Sequence, residues 1–334
     1  MRRKKLVISQ SPYRISLGGG GTDLPFYFKE RGGRLISATI NQYVKVTVAP
    51  RVLDNAILVQ TTDTQFVDNI DKVDHVLVRE ALRYFKLLKA VQVATFTTIP
   101  SGIGLGTSST VMVGLVNALA TFIGQTLSPL EIGFLAHYIE RDILELPGGI
   151  QDQYISALGG IQILNVSTSG EVTAQPLFIT EQKRKKLERG LVLIYTSKKR
   201  DSCEIVQAQK QELSEKTFEV YDRIKELGDQ SITLLQNADI IGLGQVMDEH
   251  WHLKKTLSKN ISNDKLDVLY TELKSIGSPG GKIIGAGGGG FFMMAVPSNV
   301  GEYTRKLDNL GYSHLDWCFE FKGSHIIAAG DYLL

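Results

Sequence analysis

The chain has 334 residues, of which 43% are hydrophobic, and this length accommodates about two domains of the usual ~100 to 200 residues. Its 37 Lys and Arg residues against 35 Asp and Glu residues leave a formal charge of +2, which is too balanced for a nucleic-acid-binding surface. The longest apolar stretch, 111–124, is shorter than the ~20 residues of a membrane-spanning helix. No signal-peptide core of ~7 to 15 apolar residues follows the basic start. With only two cysteines, far apart, we expect a cytoplasmic protein without disulfides.

Strands dominate the predicted structure of the first hundred residues, and helices follow. The alternation of apolar and polar residues predicts strands at 5–8, 34–40, 44–49, 56–61 and 91–98. A helix is expected at 109–124, directly after a glycine-rich loop. A capping box of Ser128 and Glu131 around Pro129 begins the next helix, which should end before Pro147.

The second half of the chain is predicted to alternate between short β segments and long helices. Strands are expected at 161–166, 171–179 and 191–196, helices at 202–237, 244–258 and 263–276, and a final β-rich stretch at 282–296 and 325–329. The charged run 181–189 predicts a domain boundary near residue 186, and therefore domains 1–186 and 187–334. His250 and His252 lie two residues apart, on different faces of a helix, so they do not predict a zinc site.

A glycine-rich loop precedes the helix predicted at 109–124. Its candidate nucleotide-binding residues are Pro100, Gly102, Gly104, Leu105, Gly106, Thr107, Ser108, Ser109 and Thr110. Glycines at every second position let the backbone approach a polyanion, and the hydroxyl residues are expected to cap the helix. A helix N-terminus attracts phosphate, although an ordinary glycine turn with a Ser/Thr cap would show the same pattern. The loop lacks the lysine of a Walker motif.

A second glycine run, at 285–290, formally contains Gly-x-Gly-x-x-Gly. A dinucleotide-binding fingerprint would open a helix, whereas a β-like run at 291–296 follows here. This order disfavours a dinucleotide-dependent oxidoreductase. We therefore predict a tight loop between two strands, either functional or a simple flexible hairpin.

The stretch 11–23, SPYRISLGGGGTD, resembles the first motif of the GHMP small-molecule kinases, Pro-x-Arg-x-x-x-x-Gly-x-x-Thr-Asp. The loops at 100–110 and 285–290 are similar to the second and third motifs of that family, in the same order. The resemblance implies an α+β, two-domain GHMP kinase fold with the active site in the interdomain cleft. It also implies that ATP binds the 100–110 loop and that Mg²⁺ is required.

The family resemblance also implies roles for individual residues. Asp152 would act as the base at the acceptor hydroxyl, with Arg14 beside it; the alternative for Asp152 is a helix cap. Ser109 and Glu140 would contact the metal, although Glu140 could instead form a surface pair with Arg141. The substrate-binding residues implied are Gly19, Gly20, Gly21, Thr22, Asp23, Gly287, Gly288 and Gly289.

Departures within the first motif bear on the substrate. Gly20 and Gly21 stand where galactokinases carry an acid and a His, which argues against galactose. The string looks most like that of the D-glycero-D-manno-heptose 7-phosphate kinases, which implies phosphorylation of the anomeric (C1) hydroxyl on the way to a nucleotide-activated heptose. A fucokinase-like or other sugar-1-kinase, and a non-catalytic sugar or nucleotide sensor, remain alternatives.

A sugar that already carries a phosphate needs a second anion site. Lys199 and Arg200, after the strand predicted at 191–196, are the first candidates, and Lys254, Lys255 and Lys282 are secondary ones. A solvated charged face is equally consistent with the 198–200 run. The expected partner is a small-molecule sugar or sugar phosphate, with no nucleic acid and no membrane, and a homodimer is left open.

Overall fold

The structure is a computed structural model that describes residues 5–100, 102–197 and 202–331, and within these ranges it has an α+β architecture with two sheets. The strands are β1 Lys5–Gly18, β2 Gly33–Pro50, β3 Ile57–Gln60, β4 Thr64–Val67, β5 Val91–Thr97, β6 Ile161–Val166, β7 Val172–Pro176, β8 Leu191–Tyr195, β9 Gly280–Ile283, β10 Phe291–Ala295, β11 His314–Leu315 and β12 His325–Asp331. The helices are α1 Pro25–Arg31, α2 Val76–Tyr84, α3 Thr107–Phe122, α4 Pro129–His137, α5 Gln151–Leu158, α6 Glu181–Gly190, α7 Ser202–Gln211, α8 Glu215–Asn237, α9 Ile240–Lys255, α10 Asp264–Ser275 and α11 Val300–Asn309.

The first sheet is organised around one long strand, β2. Among the described residues this sheet has eight strands in the order β12-β1-β2-β5-β3-β4, and β6 and β7 branch from β2. Residues 33–38 of β2 pair with β6, whereas residues 44–50 pair with β5. The two strands predicted at 34–40 and 44–49 are therefore one strand that changes partner, because pairing with β1 runs from Ile36 to Val48 and spans the change.

Helix α3 packs tightly against the first sheet and is almost entirely buried. Ser9 on β1 donates its hydroxyl to the carbonyl of Gly114 over 2.8 Å. A Cβ at Gly114 would lie only 2.8 Å from Val46 Cγ2, so the glycine permits this close approach. Because α3 begins directly after residues 102–106, the packing of α3 fixes the position of that segment.

A second sheet contributes residues to a second hydrophobic cluster. Within the described residues its order is β11-β8-β10-β9, and all of its pairs are antiparallel. Trp251 of α9 is fully buried against Phe292 of β10 and Tyr270 of α10. Strand β12 returns to pair with β1 of the first sheet. The domain boundary near residue 186 stays a prediction, and α6 spans that position.

Several predicted helices differ from the observed ones. The helix predicted at 202–237 is divided into α7 and α8, because Ser214 accepts a hydrogen bond from the Thr217 amide over 3.3 Å and caps α8. The charged run 181–189 is helical. Leu187 is the one buried residue in this run, so the sequence shows no helical repeat of apolar residues that would predict the helix. Helix α4 gives way at Tyr138–Ile143 to a π-helical turn instead of continuing to residue 146. No helix in the described ranges combines the length and the apolar character needed to cross a bilayer.

The contact between α8 and β1 yields a stability prediction. A Cβ at Gly228 would lie 2.8 Å and 2.9 Å from the backbone N and Cα of Gly19, which cannot move aside as a side chain could. We expect Gly228→Ala to lower the free energy of unfolding by about 1 to 3 kcal/mol in chemical denaturation, because it overpacks this contact.

The matched control for this prediction is Gly301→Ala in α11. A Cβ at Gly301 has no neighbour within 4 Å, and alanine there should raise the free energy of unfolding by roughly 0.5 to 1 kcal/mol through its better helix propensity. If Gly228→Ala and Gly301→Ala changed the free energy of unfolding equally, the close contact between Gly228 and Gly19 would be contradicted.

Candidate active site

A cavity is lined by residues from both sheets. The first motif, the 102–109 loop and the start of α5 supply one part of its wall, and α9, β9 and the loop after β9 supply another. The polar and charged side chains that line it are Arg14, Ser16, Asp23, Thr107, Ser108, Ser109, Glu140, Arg141, Gln151, Asp152, Gln209, Tyr221, His250, Lys254 and Lys282. The cavity therefore brings together residues that are up to 272 positions apart in the printed sequence, Arg14 and Ala286.

An ion pair between Arg14 and Asp152 joins three elements in this cavity. Arg14 on β1 donates two parallel hydrogen bonds to the Asp152 carboxylate, from Nε over 2.7 Å and from Nη2 over 2.6 Å. Its Nη1 donates to the carbonyl of Gly104 over 2.5 Å. The Arg14 side chain is 6% exposed and that of Asp152 is 19% exposed, so the pair is shielded from water but open to the cavity on the carboxylate side. Bidentate geometry of this kind fixes both groups in orientation.

Asp23 supports the helix that carries Asp152. Its Oδ2 accepts hydrogen bonds from the backbone amides of Ile150 and Gln151, over 2.9 Å and 3.1 Å, at the N-terminus of α5. Gly149 makes this possible, because a Cβ there would lie 1.9 Å from Asp23 Oδ2. Burial raises the pKa of Asp23, and the nearby negative charge of Asp152 raises it further. The helix cap is thus supplied by Asp23, and Asp152 pairs with Arg14 instead.

The start of α3 differs from the expectation that hydroxyl side chains cap it. The N-cap is Gly106, in a left-handed conformation with φ +78°, and no described side chain caps the helix. Thr110 Oγ1 instead donates to the carbonyl of Gly106 over 3.0 Å, and Ser108 points toward Glu140. Glycine at 106 is required by this backbone conformation. The helix N-terminus therefore faces the cavity with its positive dipole end, which suits an anion.

Ser109 and Glu140 are linked through a residue that the sequence did not single out, Gln153. Gln153 Nε2 donates to Ser109 Oγ over 3.0 Å and to Glu140 Oε2 over 2.6 Å. Ser108 Oγ donates to the other oxygen of Glu140 over 3.1 Å, and Arg141 lies 3.6 Å from it. Glu140 is 2% exposed, so it is not part of a surface pair. The hydroxyl oxygen of Ser109 and the carboxylate of Glu140 are thereby held side by side at the cavity wall.

Basic residues line the part of the cavity formed by α9 and β9. His250, Lys254 and Lys282 are all buried and all line it. Burial lowers the pKa of Lys282 to about 7, and repulsion by Lys254 and Arg14 adds to the effect. Burial also lowers the pKa of His250 well below its usual value, and the charges of Lys282 and Lys254 lower it further, which favours the neutral imidazole. His250 is not among the predicted site residues, because its spacing of two residues from His252 argued only against a zinc site.

The other predicted basic residues do not line this cavity or fall outside the described ranges. Lys255 forms an ion pair with Asp267 over 2.9 Å and lies over the Trp251 ring, away from the lining residues. Lys199 and Arg200 lie outside the residues that the structure describes, so their role stays a prediction.

The first motif divides into lining and supporting residues. Gly20, Gly21 and Asp23 line the cavity. Thr22 is fully buried, and its Oγ1 donates to the carbonyls of Gly19 and Arg34 over 2.8 Å and 2.9 Å, which holds the turn against β2. Substrate binding by these residues stays a prediction.

The third motif forms the predicted loop between antiparallel strands β9 and β10. Gly285 and Ala286 line the cavity, whereas Gly287, Gly288 and Gly289 are not among its described lining residues. A Cβ at Gly287 or Gly288 would lie within 3.0 Å of Ile261 or Ile205, respectively. At the end of the loop, a Cβ on Gly290 would lie 2.3 Å from the carbonyl oxygen of Ile103. The two glycine loops therefore touch, and substrate binding by 287–289 stays a prediction.

Comparisons with known proteins identify relatives along most of the chain. The family model "GHMP kinases N terminal domain" matches residues 75–160. The D-glycero-alpha-D-manno-heptose 7-phosphate kinase of Campylobacter jejuni is 33% identical over 305 residues, which cover 87% of this chain and 90% of that protein. A bifunctional fucokinase/GDP-fucose pyrophosphorylase of Arabidopsis thaliana is 25% identical, and the match covers 88% of this chain and 30% of that protein.

A solved structure is similar over nearly the whole fold. The D-glycero-D-manno-heptose 1-phosphate kinase of Bacteroides thetaiotaomicron superposes with a TM-score of 0.81 and 26% identity. The match covers 96% of this chain and 99% of that chain.

The contact between Gly106 and the Arg14–Asp152 pair can be tested directly. A Cβ at Gly106 would lie 3.0 Å from Asp152 Oδ2 and 3.4 Å from Arg14 Cζ. We expect Gly106→Ala to lower the rate of ATP turnover at least about tenfold, because it displaces the pair as well as straining the backbone.

Gly170→Ala is the control, since Gly170 is also left-handed at φ +88° but a Cβ there would meet only Phe28, at 3.6 Å or more. Its turnover should stay within about twofold of the parent at a temperature where both variants are folded. A loss of the same size in both variants would show that backbone strain alone explains the effect.

Proposed function

Because this chain belongs to the GHMP kinase family, we propose that it transfers a phosphoryl group from ATP to the anomeric hydroxyl of D-glycero-D-manno-heptose 7-phosphate, forming the 1,7-bisphosphate. The observation that supports this most is the bidentate Arg14–Asp152 pair, which lies in the cavity beside the start of α3. Support for the substrate comes from the first motif and from the 33% identical relative, whose name specifies the heptose 7-phosphate. The name of the structural relative specifies a 1-phosphate kinase, so the position of transfer has to be measured.

Asp152 is the group that meets the acceptor. Its carboxylate is oriented by Arg14 and accepts the hydrogen bond, and then the proton, of the sugar hydroxyl that attacks the terminal phosphorus atom of ATP. The Arg14 guanidinium stays beside the reacting oxygens and stabilises the negative charge that develops on them. Because Arg14 also donates a hydrogen bond to the carbonyl of Gly104, the distance between the Asp152 carboxylate and the phosphate loop is fixed.

The ATP phosphates are assigned to the N-terminus of α3, where Gly106 leaves the helix end open to the cavity. The hydroxyl of Ser109 and the carboxylate of Glu140 fit Mg²⁺, which prefers oxygen ligands and commonly takes one or two carboxylates together with substrate phosphates. When bound there, Mg²⁺ supplies positive charge to the phosphate oxygens. Gln153 holds both ligands in place through its amide.

The alternatives make different demands on the same cavity. A fucokinase-like enzyme would accept a sugar without a phosphate and would have no use for the buried basic residues on α9 and β9. A non-catalytic sensor would not need the carboxylate of Asp152 oriented by two hydrogen bonds. The intact pair therefore favours an enzyme, and the basic residues favour a phosphorylated acceptor.

The proposal is tested by incubating the protein with ATP, Mg²⁺ and the heptose 7-phosphate and recording the ³¹P NMR spectrum of the product. We expect ADP and a second sugar phosphate resonance, coupled to the anomeric proton. Phosphate on any other carbon would contradict the assigned hydroxyl. Turnover only with unphosphorylated sugars would favour the fucokinase-like alternative, and no turnover with any sugar would favour the sensor.

The same assay tests the role of Asp152. Asp152→Asn should reduce turnover by ~10² to 10⁴-fold, the usual contribution of a general base, while ATP still binds in a calorimetric titration. Asp264→Asn is the matched control, because Asp264 is also in the first turn of a helix but is exposed on α10. This control should remain within about twofold of the parent. An Asp152→Asn variant with near-parental turnover would remove Asp152 from the mechanism.

A further inference from the structure

Arg141 lines the cavity from the π-helical turn that follows α4. Its Nη1 lies 3.6 Å from Glu140 Oε1, the same oxygen that accepts the hydroxyl of Ser108 at the start of α3. Its Nε donates to the carbonyl of Gly149 over 3.4 Å, just before α5. The Arg141 guanidinium therefore lies between the helix end assigned to the ATP phosphates and the segment that leads to Asp152.

Two nitrogens of this guanidinium are held by the protein, and the third is not. Besides the bond from Nε, Nη1 donates to the carbonyl of Leu146 over 3.3 Å, and the two bonds together fix the plane of the group. Nη2 forms no hydrogen bond to any residue in the described ranges, and it is not closed off from solvent. The side chain as a whole is 15% exposed. An oriented guanidinium with unused N–H groups in a cavity suits an anion such as phosphate.

The backbone leaves room for Nη2 of Arg141. A Cβ at Gly148 would lie 2.5 Å from Nη2 and 2.6 Å from Cζ, so a larger residue there would displace the end of the arginine. The π-helical turn that carries Arg141 is a rare conformation, and such turns are frequent at functional sites.

Arg14, the other arginine among the described lining residues, differs from Arg141 in this respect. Its Nε and Nη2 donate to Asp152 and its Nη1 donates to the carbonyl of Gly104, so each of its three nitrogens already has a partner. Arg141 is therefore the arginine of the described lining with a nitrogen left for a ligand.

We propose that Arg141 is a catalytic residue whose Nη2 donates hydrogen bonds to the terminal phosphate of ATP while that phosphate is transferred. This inference rests on the proposed function, which assigns ADP to the start of α3 and the acceptor hydroxyl to Asp152. In an in-line transfer the terminal phosphorus atom lies between these two sites, and Arg141 contacts the segments that form both.

The proposed role of Arg141 is to stabilise charge during the transfer. The sugar oxygen forms a bond to the terminal phosphorus atom, and the bond from that atom to the bridging oxygen of ADP breaks. The proton of the sugar hydroxyl passes to Asp152, and ADP keeps the electron pair of the broken bond. Negative charge is spread over the oxygens of the transferred group, where a guanidinium already held in position stabilises it without reorganisation.

The test measures nucleotide affinity together with turnover. Dissociation constants for a non-hydrolysable ATP analogue and for ADP are determined by calorimetric titration in the parent and in Arg141→Gln. The variant should bind the ATP analogue about tenfold or more weakly, as loss of a charged hydrogen bond predicts. Its affinity for ADP should change by no more than about twofold, because ADP lacks the terminal phosphate. Its kcat should fall at least about tenfold.

Arg79→Gln is the matched control. Arg79 is also partly buried beside a glutamate, Glu80, and donates to a backbone carbonyl, that of Val73, but it does not belong to the described cavity lining. Both affinities and kcat of this variant should stay within about twofold of the parent.

The possible outcomes separate the inference from the proposed function. A loss of affinity confined to the ATP analogue supports the inference. Equal weakening of both nucleotides, or of neither, overturns it, and so does a change confined to KM for the sugar phosphate, which would assign Arg141 to the phosphate of the acceptor. These results leave the proposed function intact, whereas a parent that forms no anomeric phosphate overturns both. If Arg141→Gln is not folded by circular dichroism, Gly148→Ala replaces it, because its Cβ would displace Nη2, and the same results support or overturn the inference.

Discussion

The Arg14–Asp152 ion pair is the contact on which the geometry of the cavity depends. Arg14 belongs to β1, Asp152 to α5 and Gly104 to the loop before α3, and the Arg14 guanidinium group donates hydrogen bonds to both of the other residues. A guanidinium has a rigid, planar set of donors, so these three elements cannot shift independently without breaking a hydrogen bond. The Asp152 carboxylate and the N-terminal end of α3, which are the proposed acceptor and phosphate sites, are thereby held at a set distance. Such preorganisation is what phosphoryl transfer requires most of a protein.

The neighbouring residues can be understood as support for that pair. Asp23 caps α5 and leaves Asp152 to pair with Arg14, and Gly149 gives Asp23 the space to approach. Gly106 keeps space beside the pair, and Gly290 lets the loop of the second sheet reach Ile103. Charged groups are concentrated around the cavity at a cost in desolvation free energy. Asp23 and Lys282 are both buried, and burial opposes the charged form of each. A protein retains such unfavourable groups where binding or catalysis uses them.

The sequence was most informative where backbone geometry demands a particular residue. The glycines at 102, 104 and 106 all adopt positive φ, and the run at 285–290 joins two strands as expected. Contacts between distant segments could not be predicted. Gln153 gives no local signal, because its importance comes from Ser109 and Glu140, and these meet it only once α3 and the turn at Tyr138–Ile143 have packed together. His250 was not predicted for the same reason: Lys282, one of the two lysines whose charge lowers its pKa, lies on β9 and comes near it only in the folded chain. The one indication in the sequence is that His250 and Lys254 are four residues apart, a spacing that places both on the same face of a helix.

The account is tested most directly by a crystal structure with a non-hydrolysable ATP analogue and the heptose 7-phosphate bound together. It predicts the anomeric oxygen within about 3 Å of the Asp152 carboxylate, in line with the terminal phosphorus atom of the analogue at the start of α3. Arg14 should remain bound to the carboxylate. A complex in which the sugar lies elsewhere, with Asp152 contacting Arg14 alone and no substrate hydroxyl, would contradict the central role of this pair.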